Sequence, residues 1–417
     1  MKQSNRLTLV ASAALAAVTL AACGGGGGDS APAPAPAPAP VNGTLAVSLT
    51  DAPACGFDAV NVTVNKVRVH ASGSASETEG GWTDIAVSPA KKINLLNLTN
   101  GVTDLLGTTT LPAGKYTQVR LILDANSGSG MANTVVPTGS TAEKTLDTPS
   151  AVQSGIKVVG SFDVAAGQRT DIVLDFDACK SVLTKGQGKY ALKPVIKLLP
   201  STTGGTATPN GISGVISPAL LASGVSVSAQ QNGAIVSSTT PNATTGEFLL
   251  SRLAAGSYDV VVTANGHAAS VVGAVPVATA TSTTAISTVA APLVLATSQV
   301  ASIAGTVTMT PASTTGEAAY VAAKQTFASG PTVTVKYAGA DLATGAYTIE
   351  NLPVAAPQYA VYSATLPLTF AASTTVTPGA GKYQVSASAT GYATLTKADA
   401  VDISTQNASN VNFALVP

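Results

Sequence analysis

The stretch "TTGEFLLSRLAAGSYDVVVTANGHA", residues 244–268, decides the reading of the second half of the chain. A Thr-Gly turn leads into an aromatic-bearing apolar segment, a second turn falls at Gly256, and "SYDVVVT" runs on to Asn265-Gly266. Short β-branched runs bounded by Gly, Asn and Pro signal strands, and strands so closely spaced signal an all-β sandwich. The frame returns as "ATGAYTIENLPVA" (343–355) and "GKYQVSASATGYA" (381–393). Each copy also has a Gly-containing first strand, "GISGVIS" or "SIAGTVTMT", and a V-x-V strand, "GVSVSAQ" or "TVTVKYA". Repetition on this scale means tandem domains. They are expected at 211–297 and 298–417, the second with insertions at 312–331 and 353–378. Tyr258 and Tyr383 hold the same slot in both copies and are expected to anchor the cores.

The segment 44–200 has the same character. Period-two alternation in "TLAVSLT", "AVNVTVNKVRV", "YTQVRLIL", "DIVLDFD" and "YALKPVIKLL" predicts strands. In the second of these the apolar phase runs Val60, Val62, Val64 and then Val67, Val69. A slip of one residue exchanges the faces of a strand, so a bulge is expected at Asn65-Lys66. Only "KKINLLNLTNGVTDLLG" has room for a short helix, and Leu111–Gly114 and Gly186–Gly188 read as turns.

These residues carry a resemblance. The strings "LTDAPACGFDAVNVTVNKVRVH", "GGWTDI", "INLLNLTNG", "LPAGKYTQVRLIL", "PSAVQSGIKV", "LDFDACKSV" and "YALKPVIKLLP" resemble the bacterial lipoprotein domain of unknown function numbered 4382. The resemblance covers 44–200 and implies an exported β-rich domain with no assigned catalytic residue. The later repeats are similar to carboxypeptidase-regulatory-like, or transthyretin-like, β-sandwiches of a wider carbohydrate-binding-like superfamily. That likeness makes carbohydrate a candidate ligand at the level of fold analogy. Ser201–Asn210, rich in Thr, Gly and Pro, reads as a linker.

The front of the chain reads as an address. Lys2 and Arg6 precede an apolar run from Leu7 to Leu20 that ends in small residues, the pattern of a secretory signal over residues 1–22. Leu20-Ala21-Ala22-Cys23 resembles the lipobox of bacterial lipoproteins. That resemblance implies that Cys23 carries lipid, and Gly24 after it resembles the pattern of outer-membrane sorting. Stable anchoring needs more than one acyl chain, each buried CH₂ contributing ~0.8 kcal/mol. The Gly24–Gly28 run and the Ala-Pro alternation from Ala31 to Pro40 then form a disordered linker over 23–43. Polyproline geometry at ~3.1 Å per residue makes its Ala-Pro part a stalk of about 30 Å. The expected fold class is therefore all-β, with tandem antiparallel β-sandwiches behind a lipoprotein signal and a Gly/Ala-Pro linker.

Little in the chain supports catalysis. Charged residues make up 10% with net charge zero, which argues against nucleic acid or an electrostatic membrane surface as partner. The two histidines, His70 and His267, fall in different expected domains, which removes most Ser-His-Asp and His-metal schemes. No nucleophile elbow, zinc-protease helix or phosphate loop is present, so no enzyme activity and no cofactor are expected. Trp82 reads as a packed aromatic or as a sugar platform. With Cys23 lipidated, Cys55 and Cys179 remain as an even pair in an exported chain, read as a disulfide or as two free buried thiols. A loop that long would gain roughly 4–5 kcal/mol on the chain-entropy account. Linking those cysteines would bring Asp51 towards Asp175 and Asp177, either as a calcium site or as turn and ion-pair residues. The expected partners are membrane lipid through Cys23 and either carbohydrate or an envelope protein, at the bacterial cell envelope.

Overall fold

The computed structural model describes residues 41–52, 56–127, 130–201, 210–279, 282–314, 316–372 and 375–417. The expected signal, Cys23 and stalk (1–40), Cys55, and residues 202–209 of the expected linker lie outside the described residues.

The strand Asn42–Ala52 sits inside a four-stranded sheet, antiparallel to Asp104–Pro112 and parallel to Arg169–Asp177, which in turn pairs with Ile196–Ser201. Alternation buries Leu45, Val47 and Leu49 on one strand and Ile172, Leu174 and Phe176 on its neighbour, all at 0% exposure. An eight-stranded sheet supplies the rest of this core, with Phe57–His70 paired to Thr83–Asn94, Gly114–Leu123 and Thr134–Pro137. Its ladder slips between Val64 and Lys66, so Val60, Val62, Val64, Val67 and Val69 all reach the core. The bulge expected at Asn65-Lys66 is there. The expected helical segment contracts to one 3₁₀ turn, Leu95–Leu98, where the Asn94 side chain accepts from the Leu96 amide.

Two further sandwiches follow, and the sequence repeat is a repeat of topology. In each, a central strand lies in a three-stranded sheet between one antiparallel and one parallel neighbour. Gly211–Val215 lies between Glu247–Ser251 and Thr283–Ala285; Val300–Met309 lies between Ala346–Pro353 and Phe413–Leu415. A six-stranded sheet closes each core. The turn before the aromatic strand is the same object twice. Asn242 Oδ1 accepts from the amides of Thr244 and Thr245, and Asp341 Oδ1 from those of Ala343 and Thr344. Gly246 and Gly345 then take φ of +73° and +70°, against the carbonyls of Ile216 and Val307. Tyr258 and Tyr383 are buried as expected, donating to the carbonyls of Ala254 (2.8 Å) and Pro353 (2.6 Å).

The third sandwich departs from the expected alignment. Residues 319–327, expected within an insertion, form the central strand Ala319–Phe327, paired to both Thr332–Gly339 and Lys382–Ala389. The structural partner of Ser226–Gln231 is therefore this strand, and "TVTVKYA" corresponds to Ala234–Thr239. Alternating V-x-V patterns are alike on neighbouring strands, which is why the sequence pairs them wrongly. The segment 353–378 is a true excursion. Its strand Gln358–Val361 leaves the third sandwich and adds in parallel to Ser270–Val277 of the second.

A Cβ placed on Gly246 or Gly345 would lie 2.2 Å from a carbonyl oxygen, and both backbones are left-handed. Gly246→Ala and Gly345→Ala are each expected to destabilise the chain by more than about 1 kcal/mol. Urea unfolding midpoints measure this, and an unchanged midpoint in either variant would contradict the assignment of one shared turn.

Candidate functional site at the junction of the sandwiches

Several polar side chains lie where the sandwiches meet. Gln230 is at 0% exposure, and its amide exchanges two hydrogen bonds with the Thr334 backbone, each of 2.8 Å, as a strand would. Lys336, on the same strand as Thr334, donates to Asn265 Oδ1 of the second sandwich at 3.1 Å. Between the first and second sandwiches, Asn100 Oδ1 accepts from Thr239 Oγ1 (2.8 Å) and from the Leu249 amide (3.3 Å). Between the first and third, Tyr320 donates to the Lys180 carbonyl at 2.6 Å, and Asp341 Oδ2 accepts from the Gly186 amide at 2.8 Å. The Asp341 turn thus does more than its twin at Asn242. Burial opposes charge on Asp341, but bonds from Thr184, Gly186, Thr344 and Ala343 outweigh it and hold the carboxyl at about 2.

The three aspartates singled out from sequence do not form one cluster. The parallel register sets Asp51 beside Phe176 and Thr50 beside Asp175, so Asp51 shares the core face while Asp175 and Asp177 take the other. Asp51 accepts from the Ala178 amide at 3.1 Å. Asp177 caps the Ala178–Ser181 turn through the Lys180 amide (3.0 Å) and pairs with Lys180 Nζ (2.9 Å). Among the described residues no group of three or more His, Cys, Asp or Glu is placed to hold a metal ion. Asp51 thus has an amide partner, and Asp177 a turn amide and an ammonium partner.

Asp175 is different. It lies opposite Lys197 on the adjacent strand, in a crevice closed by residues 235–238 of the second sandwich. Burial first, with the nearby Asp177 charge, pushes its carboxyl up to about 6 against the pull of Lys197, Arg252 and Lys180. Tyr337 is held far above the ordinary phenol range, by burial and then by the charge of Asp177.

Residues 42–194 match the family described as Domain of unknown function (DUF4382). This part of the chain belongs to that family. Within the DUF4382 domain, Trp82 is a packed residue. Two guanidinium groups, Arg68 and Arg120, lie 4.9 and 5.2 Å from its ring centre, His70 tilts against it at 5.0 Å, and Nε1 donates to the Ser76 carbonyl at 2.8 Å. His70 itself bonds the Gly80 carbonyl through Nε2 at 2.9 Å, and His267 lies in the second sandwich at the Asn265 turn. Gln230, Asn100, Lys336 and Asp341 were missed from sequence, where each reads as an outward strand or turn residue.

Among solved structures, the Bacillus anthracis TIE protein is 13% identical, with 90% of this chain and 50% of that one covered and a TM-score of 0.15. The Corynebacterium diphtheriae major pilin SpaA is 12% identical, with 90% and 100% covered and a TM-score of 0.18. Two B repeat units of the Staphylococcus aureus collagen-binding protein are 11% identical, with 90% and 98% covered and a TM-score of 0.16. The chain spans half the length of the TIE protein chain. Scores this low carry no argument about architecture or activity. No curated protein matches the chain.

Because the folded pKa of Asp175 is raised above 3.8, its contribution to stability is full below that value and is lost as pH rises through about 6. Asp341, with its pKa depressed to about 2, contributes in the opposite sense, above 3.8 and declining as pH falls. Asp175→Asn is expected to flatten the fall in stability between about pH 4 and pH 7. Urea unfolding across that range measures it, and a slope equal to wild type would refute the assignment.

Proposed function

We propose that the chain is a non-enzymatic lipoprotein of the bacterial cell envelope, tethered through Cys23, whose docked sandwiches serve as a structural or binding unit. The observation that supports this is the use of polar groups. Gln230, Asn100, Tyr320, Asp341 and Lys336 join one sandwich to another, and the Trp82 ring is engaged by two arginines. Groups that would otherwise carry chemistry thus hold three β-sandwiches in a fixed arrangement. Such a unit suits display of a surface to an envelope protein or a glycan more than turnover of a substrate. A Cys55–Cys179 disulfide belongs to the same reading. The parallel register sets Ala52 beside Asp177, two residues before Cys179, and an even cysteine pair in an exported domain favours such a bond.

Wild type labelled with a fatty-acid analogue is expected to incorporate the label and fractionate with membranes, most simply the outer membrane. Cys23→Ser is expected to lose both. Equal labelling of the two would refute the anchor, and label confined to the inner membrane would refute the outer-membrane assignment.

A further inference from the structure

Asn-Gly occurs five times, at 42–43, 100–101, 210–211, 232–233 and 265–266. In such a pair the glycine amide nitrogen can attack the asparagine Cγ, because no Cβ shields it. The bond from Cγ to the side-chain nitrogen breaks, ammonia leaves with the proton from the attacking amide, and a five-membered succinimide forms. Water then opens the ring to aspartate or isoaspartate. The reaction needs no other co-reactant, and its rate depends on how far the carboxamide carbonyl is polarised.

Four of these sites, at 100, 210, 232 and 265, differ in what they offer this reaction. Asn210 is buried, with its side-chain nitrogen bound to the Leu253 carbonyl. Asn100 is half-buried and accepts from neutral donors only, Thr239 Oγ1 and the Leu249 amide. Asn232 and Asn265 are both exposed, and their glycines share a left-handed backbone, φ +73° at Gly233 and +75° at Gly266. Among the described residues, only Asn265 of these four has a charged donor on its carboxamide oxygen, Lys336 Nζ at 3.1 Å. Its nitrogen faces the opposite way, packed over Gly224, where an added Cβ would come within 3.1 Å of it. A cation fixed on the carbonyl oxygen stabilises the negative charge that develops there during attack. It is held by another sandwich, so the arrangement exists only in the docked fold.

We propose that Asn265-Gly266 is a self-modification site, at which Lys336 accelerates conversion of the carboxamide to a carboxylate. The product oxygen lies against the same ammonium group and replaces a neutral acceptor with an ion pair between the second and third sandwiches. The isoaspartate form also lengthens the turn whose Gly266 carbonyl accepts from the Ser298 amide at 2.9 Å. Burial lowers the Lys336 ammonium to about 8, with Glu350 opposing; His267, bonded through Nδ1 to the Asn265 carbonyl at 2.9 Å, is the other titratable group at the turn. The lysine effect is therefore greatest near neutrality and fades as the amine loses its proton.

The test is timed incubation of the full chain at about pH 7 and at about pH 9, with peptide mapping by mass spectrometry to count aspartate plus isoaspartate at 265 and at 232. The expected result is severalfold faster conversion at 265 near neutrality, with the ratio between the sites falling at the higher pH. Lys336→Met is expected to bring 265 to the rate of 232, Lys336→Arg to keep the difference, and urea-unfolded chain to convert both at one rate. Equal rates in the folded wild type, or an undiminished rate at 265 in Lys336→Met, would overturn the proposal. Should Lys336→Met fail to fold, the Lys336→Arg variant and the pH ratio in wild type decide the matter.

Discussion

The side chain of Gln230 bonds the Thr334 backbone at both ends of its amide, and the arrangement of the sandwiches depends on contacts of this kind. A buried amide with no partner would cost roughly 1–3 kcal/mol. The same group satisfied by a neighbouring sandwich makes separation of the two expensive, because parting leaves donors and acceptors uncovered on both sides. Asn100 and Asp341 work in the same way at the other two contacts. The residues doing this come from positions that a lone sandwich would turn to water. The fold of each sandwich and its docking are therefore written in different residues.

That division explains what was legible in the sequence. Alternation gave the strands, since Leu45, Val47 and Leu49 need a dry face whatever lies opposite. The phase slip from Val64 to Val67 gave the bulge, because only an extra residue keeps both halves of that strand facing inwards. The Thr-Gly-x-aromatic frame gave the repeat, since its geometry is local. Register across the sheet was less accessible. Ala319–Phe327 buries Ala, Val, Ala, Gln and Phe in turn, and the small side chains and the glutamine disguise a central strand as an insertion. The aspartate trio divides for a related reason: sequence proximity to two cysteines gives distance along the chain but not face, and the parallel pairing turns Asp51 inwards. The docking residues left no trace, because nothing local marks Gln230 as covered.

Asp175 and Asp341 show how one assembly can shift two carboxylates in opposite directions. Asp341 is met by several donors fixed in a turn and an adjoining sandwich, so its charge is solvated by protein. Asp175 is enclosed with fewer donors and a second carboxylate nearby, so its charge is held at a disadvantage. Identity of residue type says nothing about this; the number of amides aimed at the oxygen does.

The excursion strand Gln358–Val361 bears on the order of events when the chain is made. A chain emerging from its amino-terminal end delivers Ser270–Val277 well before the segment that will lie beside it. Until then the second sandwich exists with an open edge, the kind of surface on which another chain can add. Its completion waits on the third sandwich, so the two mature together and the interval between them is the period of greatest exposure to mispairing. A holdase that meets the chain before it is complete would find its natural substrate in that interval, at that edge.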